Sequence, residues 1–129
     1  MPGATNAAAL FQSIGSPVAP LCPPQVITGT FTGAAVDTLD FDGLLHIVQM
    51  TGAVAGAGTV TGKIQSSADG STNWVDVPGA ALAIVSTANQ VGLITLDLQS
   101  CQRFIRYIGT ETGTSIGVSV SGTGVKKVR

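Results

Sequence analysis

The sequence predicts an all-β domain, a β-sandwich or jelly-roll-like fold of about seven to eight strands with an extended N-terminal arm. Three observations predict it. Apolar residues recur at every second position in the clearest segment, where Val60, Gly62 and Ile64 alternate with Thr59, Thr61, Lys63 and Gln65. That is the period of a strand with one buried face. Turn signals such as Asp42-Gly43, Asp69-Gly70 and Pro78-Gly79 separate the β-branched segments. Helical patterning is nearly absent; residues 7–13 and 80–85 are the stretches that could take it, and the second reads equally well as strand.

Taken in order, residues 1–24 read as an arm. Ala7, Ala8, Ala9, Leu10 and Phe11 make an apolar plug, followed by a connector containing Pro17, Pro20, Pro23 and Pro24. Each proline fixes φ and removes a backbone donor, so the connector favours extended polyproline-like geometry and is unfit for a helix or an interior strand. Leu10, Phe11, Ile14, Val18 and Leu21 are more apolar than a solvated linker needs, which points to an arm docked on a neighbour. No Lys or Arg precedes Lys63, so no signal peptide is expected.

Residues 25–129 read as the sandwich. Strands are expected at residues 26–31, 44–50, 59–66, 73–77, 93–98, 103–108 and 116–121, with Pro78-Gly79 as a stop. Residues 52–58, three of which are glycine, read as a flexible loop between strands. They lack the Lys-Ser/Thr ending and following helix of a phosphate cradle.

Composition bounds the function. The 129 residues make one domain, only 10% of them charged against about 25% in an ordinary soluble domain, and mean hydropathy is +0.43. Low charge with high hydropathy excludes charge-driven disorder. The apolar runs fall far short of the roughly 20 residues a spanning helix needs, so no membrane is expected as partner. A formal net charge of −1 and a pI near 5.5 argue against nucleic acid. Lys126, Lys127 and Arg129 nevertheless form a small basic tail on an acidic body, suited to an acidic neighbour.

Catalytic chemistry is sparse. His46 is the sole histidine and sits between Leu45 and Ile47 in an apolar strand, with no nucleophile motif beside it; it reads as structural, and no enzyme is expected. Cys22 and Cys101 cannot form a four-ligand zinc site, and whether they pair stays open. Asp37, Asp40 and Asp42 raise the idea of calcium, but the spacing is not that of a wrapped calcium loop and a charged strand edge is preferred. No cofactor or metal is implied. Residues 67–74 are similar to the Asp-box turn of sialidase-like propellers, with the glycine shifted and Asn73 inserted; one imperfect copy reads as a hairpin device. Trp74 and Tyr107 are the only Trp and Tyr, a thin platform for sugars.

Several segments in order resemble a known group. Leu45-His46-Ile47-Val48-Gln49, the Gly-rich stretch, residues 62–70 ending in Gln65-Ser66-Ser67-Ala68-Asp69-Gly70, the Trp74-Val75-Asp76-Val77 strand and Arg103-Phe104-Ile105-Arg106-Tyr107 are similar to small β-rich structural proteins of tailed bacteriophages. The resemblance spans about residues 40–122, leaves the arm without a counterpart, and reads Arg103 to Tyr107 as a variant of an Arg-Tyr-x-Arg-type strand. It implies a virion component, a capsid cement or decoration protein on the head surface. The implied partners are the major capsid protein and further copies of the chain, expected as a trimer. Contacts are expected from Leu10, Phe11, Ile14 and Leu21 of the arm and from Lys126, Lys127 and Arg129. A tail or tail-fibre component, or a glycan-binding decoration module using Trp74, Asp69 and Asn73, stands as the alternative.

Overall fold

The computed structural model describes residues 16–127. Among the described residues ten strands form two five-stranded antiparallel sheets that pack face to face, an all-β sandwich as expected. Sheet A holds β1 (Ser16–Pro17), β2 (Cys22–Ile27), β5 (Phe41–Ala55), β8 (Val91–Asp97) and β10 (Ser115–Lys126). Sheet B holds β3 (Thr30–Thr32), β4 (Val36–Asp37), β6 (Thr59–Ser67), β7 (Val75–Ala81) and β9 (Phe104–Thr112). In sheet A, β1 and β2 flank one side of β10, with β5 and then β8 on the other; in sheet B, β3 and β4 flank β9, followed by β6 and β7. A single 3-10 turn, Leu98–Ser100, is capped by the Asp97 carboxylate, which accepts from the Gln99 N–H.

Period-two alternation builds the core. Leu45, Ile47 and Gln49 of β5, Ile94 and Leu96 of β8 and Ile116, Val118 and Val120 of β10 point inward from sheet A. Val60 and Ile64 of β6 meet them with Ile105 and Tyr107 of β9. At the centre, the fully buried Tyr107 hydroxyl donates to Gln49 Oε1 at 2.5 Å, a side-chain hydrogen bond that spans the two sheets. Gly62 and Gly109 are cross-strand partners beneath it. A Cβ at Gly62 would lie 2.7 Å from the Tyr107 hydroxyl and closer still to Gln49 Oε1, and one at Gly109 would lie 2.8 Å from the Tyr107 ring. Both glycines are therefore required by close approach, not by backbone angle.

The boundary of the arm is corrected. The part of residues 1–24 that is described, from Ser16 onward, belongs to the sandwich. Ser16 and Pro17 pair with Gly124 and Thr123, and β2 begins at Cys22, opposite Val120. Val18, Leu21 and Cys22 lie in the core. The prolines are tolerated because β1 and β2 form an edge, where the missing donors face away from the ladder.

Other departures have local causes. The strand expected at residues 26–31 breaks at Gly29, whose φ of 71° is left-handed. The break lets the chain leave sheet A after β2 and enter sheet B as β3, and Glu111 holds the crossing by donating its N–H to the Gly29 carbonyl and accepting the Gly29 N–H on Oε1. The loop expected at residues 52–58 is half strand, since β5 runs on to Ala55 and the turn follows. Pro78-Gly79 does not stop β7 but sits at an edge-strand irregularity, with Gly79 at φ 77°.

The Tyr107 to Gln49 bond generates the first prediction. Tyr107→Phe leaves the buried Gln49 amide wholly unpartnered and is expected to cost about 1–3 kcal/mol, while Gly62→Ala overpacks the same point at a similar cost. Urea unfolding monitored by Trp74 fluorescence measures both, and unchanged midpoints would remove this pair from the centre of the fold.

Candidate interaction surface

The two outer faces of the sandwich differ in chemistry. Outward positions of sheet B are polar but for one: Thr59, Thr61, Lys63 and Gln65 on β6 stand beside Thr112, Thr110 and Arg106 on β9, with the covered Ile108 beside Lys63 as the apolar exception. Thr59 and Thr112 share a hydroxyl hydrogen bond of 2.6 Å. Lys63 Nζ donates to Asp76 Oδ2 at 3.0 Å, Gln65 donates to Asp76 Oδ1, and Arg106 donates to Gln65 Oε1 while its guanidinium lies 4.3 Å from the Trp74 ring centre. The charges of this face are thus engaged with one another.

Sheet A presents the opposite. Met50 on β5 stands between Ser119 and Val91, Val48 between Ser121 and Leu93, and Leu44 beside Asp97. Val26 on β2 extends the row toward the edge formed by β1 and β2, next to Gly117. Leu93 is 71% exposed, Val26 66%, Val91 60%, Met50 51% and Leu44 48%. His46, between Thr123 and Thr95, is exposed on this face. Two shallow depressions flank the row. One, of about 340 Å³, lies at Gly52 and Gly117 beside Val26 and Met50; the other, of about 460 Å³, lies at Gly43 and Gly124 beside Leu44 and Val125. An exposed apolar face of this extent suits burial against a partner.

The expected contact residues fall in several places. Leu10, Phe11, Ile14 and Arg129 lie outside the described residues. Leu21 is corrected: its side chain is fully buried in this chain's own core, so it offers nothing to a neighbour. Lys126 and Lys127 are exposed at the end of β10, but not as a separate basic surface. Lys126 pairs with Phe41, Val125 with Asp42, and the Lys127 N–H donates to the Asp40 carbonyl. The described part of the basic tail therefore lies beside the acidic segment of the same chain. The sheet A face itself was legible only as alternation, because choosing which set of alternate residues faces solvent requires the pairing of distant strands.

The remaining chemical candidates are used internally. Asp37 accepts two hydrogen bonds from the Arg103 guanidinium, at 2.9 and 2.7 Å, and one from the Leu39 N–H. Ser67 and Asp69 organise the β6–β7 turn: Asp69 accepts from the Ser71 and Thr72 N–H groups and the Thr72 hydroxyl, and Ser67 donates to the Thr72 carbonyl. Trp74 stacks with Arg106 and Tyr107 is buried, so neither ring is an open sugar platform. Cys22 and Cys101 are unpaired thiols. Burial pushes Cys22 up to about 11 and, with Asp97 nearby, raises Cys101 also, which disfavours the reactive thiolate at both.

Hydrogen bonds hold three carboxyls below their ordinary range: Asp69 through the Thr72 hydroxyl and turn amides, Asp37 through Arg103, and Asp76 through Gln65 and Lys63. A carboxyl depressed in the folded state stabilises it above the unfolded value of about 4 and loses that contribution as pH falls through the folded value. Melting temperature is expected to hold from neutral pH to about 5 and to decline below about 4. Asp69→Ala should lower it at neutral pH and flatten the acid decline; calorimetry across pH reads both, and a parallel decline in the variant would acquit Asp69.

No protein-family model matches the chain, and no curated protein matches it. Among solved structures, it is similar to a chain in the structure of infectious bursal disease virus Gx strain, at 19% identity and a TM-score of 0.35. The likeness covers 82% of this chain and 30% of that one, so this chain spans less than a third of the other's length.

Proposed function

We propose that this chain is a virion structural protein, a cement or decoration subunit that binds the major capsid protein on the outside of the head. The observation that carries the reading is the apolar outer face of sheet A, with Leu44, Met50, Val91 and Leu93 exposed on a sandwich whose opposite face is polar and internally paired. The order of segments similar to tailed-phage structural proteins supports the same reading. A lattice-bound subunit gains from many weak contacts repeated over a shell and needs no catalytic group. In this reading the sheet A face lies against the lattice, Lys126 and Lys127 lie at its margin beside Asp42, and Leu10, Phe11 and Ile14 provide further apolar contact. Several copies then gather at one lattice position.

The test is co-sedimentation of the purified chain with shells of the major capsid protein. Replacing Leu44 and Met50 together by Asp is expected to reduce retention about tenfold or more, since charging an apolar interface costs several kcal/mol, while the melting temperature stays near that of the parent. Equal retention would overturn the proposed face. Copy number separates head from tail: hundreds per particle are expected, and a handful would assign the protein to the tail.

A further inference from the structure

We infer that two copies of this chain join edge to edge through β8, paired antiparallel about Ile94, so that sheet A continues across a two-fold axis. The joint needs only the chain itself and so goes beyond the reading as a capsid subunit. It follows from a contrast among the four sheet edges. Exposed edges are normally blunted by proline, bulges, charge or shortness, because their unpaired N–H and C=O groups recruit other strands.

Three edges here are blunted. The edge made by β1 and β2 carries Pro17, Pro23 and Pro24 and a register shift against β10. The edge made by β3 and β4 is two fragments of three and two residues. β7 carries Pro78, Asp76, a left-handed Gly79 and a register shift. β8 has none of these along its body. It is seven residues, Val-Gly-Leu-Ile-Thr-Leu-Asp, paired with β5 without a shift from Val91 to Asp97. Among the described residues no strand pairs with its other side.

A second copy of β8 is the occupant that its own pattern fits. Antiparallel pairing about Ile94 sets Leu93 opposite Thr95, Gly92 opposite Leu96 and Val91 opposite Asp97, so outward residues meet outward ones and inward meet inward. The lone charge of the strand then faces an apolar residue and not its own copy. The two-fold axis stands perpendicular to the sheet, which keeps both apolar outer faces on one side and brings the exposed Val91 and Leu93 of each copy to the middle. Ile84, also exposed, lines a cleft with Val91 and Gly92 on the same flank and adds to the apolar margin. One strand per copy is a smaller contact than the standard interface of about 1,600 Å², so association is expected in the micromolar range.

The register gives a charge-swap test by sedimentation velocity on the full chain. Val91→Asp sets two pairs of carboxylates opposite each other across the joint and should weaken the dimer about tenfold. Val91→Lys sets two opposite-charge pairs there and should leave the dimer as tight or tighter. Val91 is exposed in the single copy, so both variants should fold, and their melting temperatures check this. A monomer at hundreds of micromolar, a trimer, or a dimer that responds alike to Asp and Lys would overturn the joint. None of these outcomes depends on capsid binding, which the co-sedimentation experiment reads separately.

Discussion

The rest of the sandwich depends on one buried polar contact between its central strands. Tyr107 of β9 and Gln49 of β5 are both interior to their sheets, and their hydrogen bond fixes how the two layers face each other. Around it the hydrophobic cluster is almost wholly aliphatic, and aliphatic side chains alone tolerate small slips between sheets. A directional bond in a low-dielectric interior does not, because a slip would strand two polar groups. Among the described residues the Gln49 Nε2 group has no partner, so the site has little slack to absorb a second loss. Gly62 and Gly109 make room for the ring and the amide together, which ties two glycines in facing strands to one tyrosine.

That central constraint frees the outer faces to differ. With so few charges, the chain concentrates them on sheet B and at the ends of the strands, where Lys63 meets Asp76 and Arg103 meets Asp37. Exposed pairs of this kind contribute little to stability. Their effect is better seen as surface chemistry: together with the threonine rows they keep sheet B hydrated without a strong net charge. Sheet A has hydroxyls at Ser119, Ser121, Thr123 and Thr95, but the aliphatic residues of β5 and β8 beside them are the part of the surface for which water is the poorer neighbour.

Much of this was legible in the sequence. The strands around Ile47, Ile64, Leu96, Tyr107 and Val118 follow from alternation and from the turns that bound them, and the likeness of residues 67–74 to an Asp-box turn points to the hairpin that Ser67 and Asp69 organise. What escaped local reading was decided by partners far away in sequence. Pro23 and Pro24 argue against a central strand, correctly, yet say nothing against an edge strand alongside β10. Gly29 reads as one more residue of a strand until Glu111 is found opposite, holding the chain where it changes sheets. Leu21 looks like a contact for a neighbour because its segment is proline-rich, and only the position of β10 shows that the core has a place for it. His46 reads as structural from its apolar neighbours, and only the pairing of β5 shows that it faces outward.

The glycine content, conspicuous in a chain so poor in charge, also has a packing explanation. The inward row of β10 runs from Ile116, Val118 and Val120 to Gly122 and Gly124, so its side chains vanish toward the C-terminal end. A Cβ at Gly122 would meet Val18 at 3.0 Å, and one at Gly124 would meet Leu45 at 2.7 Å. The space released by the last strand is thus filled from the first described residues and from β5. The two ends of the described chain complete one core between them, so loss of either would open the same place. A Gly- and Ser-rich final strand and a proline-rich first segment look like loose ends when read separately. Packed together, they form one closed edge of sheet A and leave β8 as its open one.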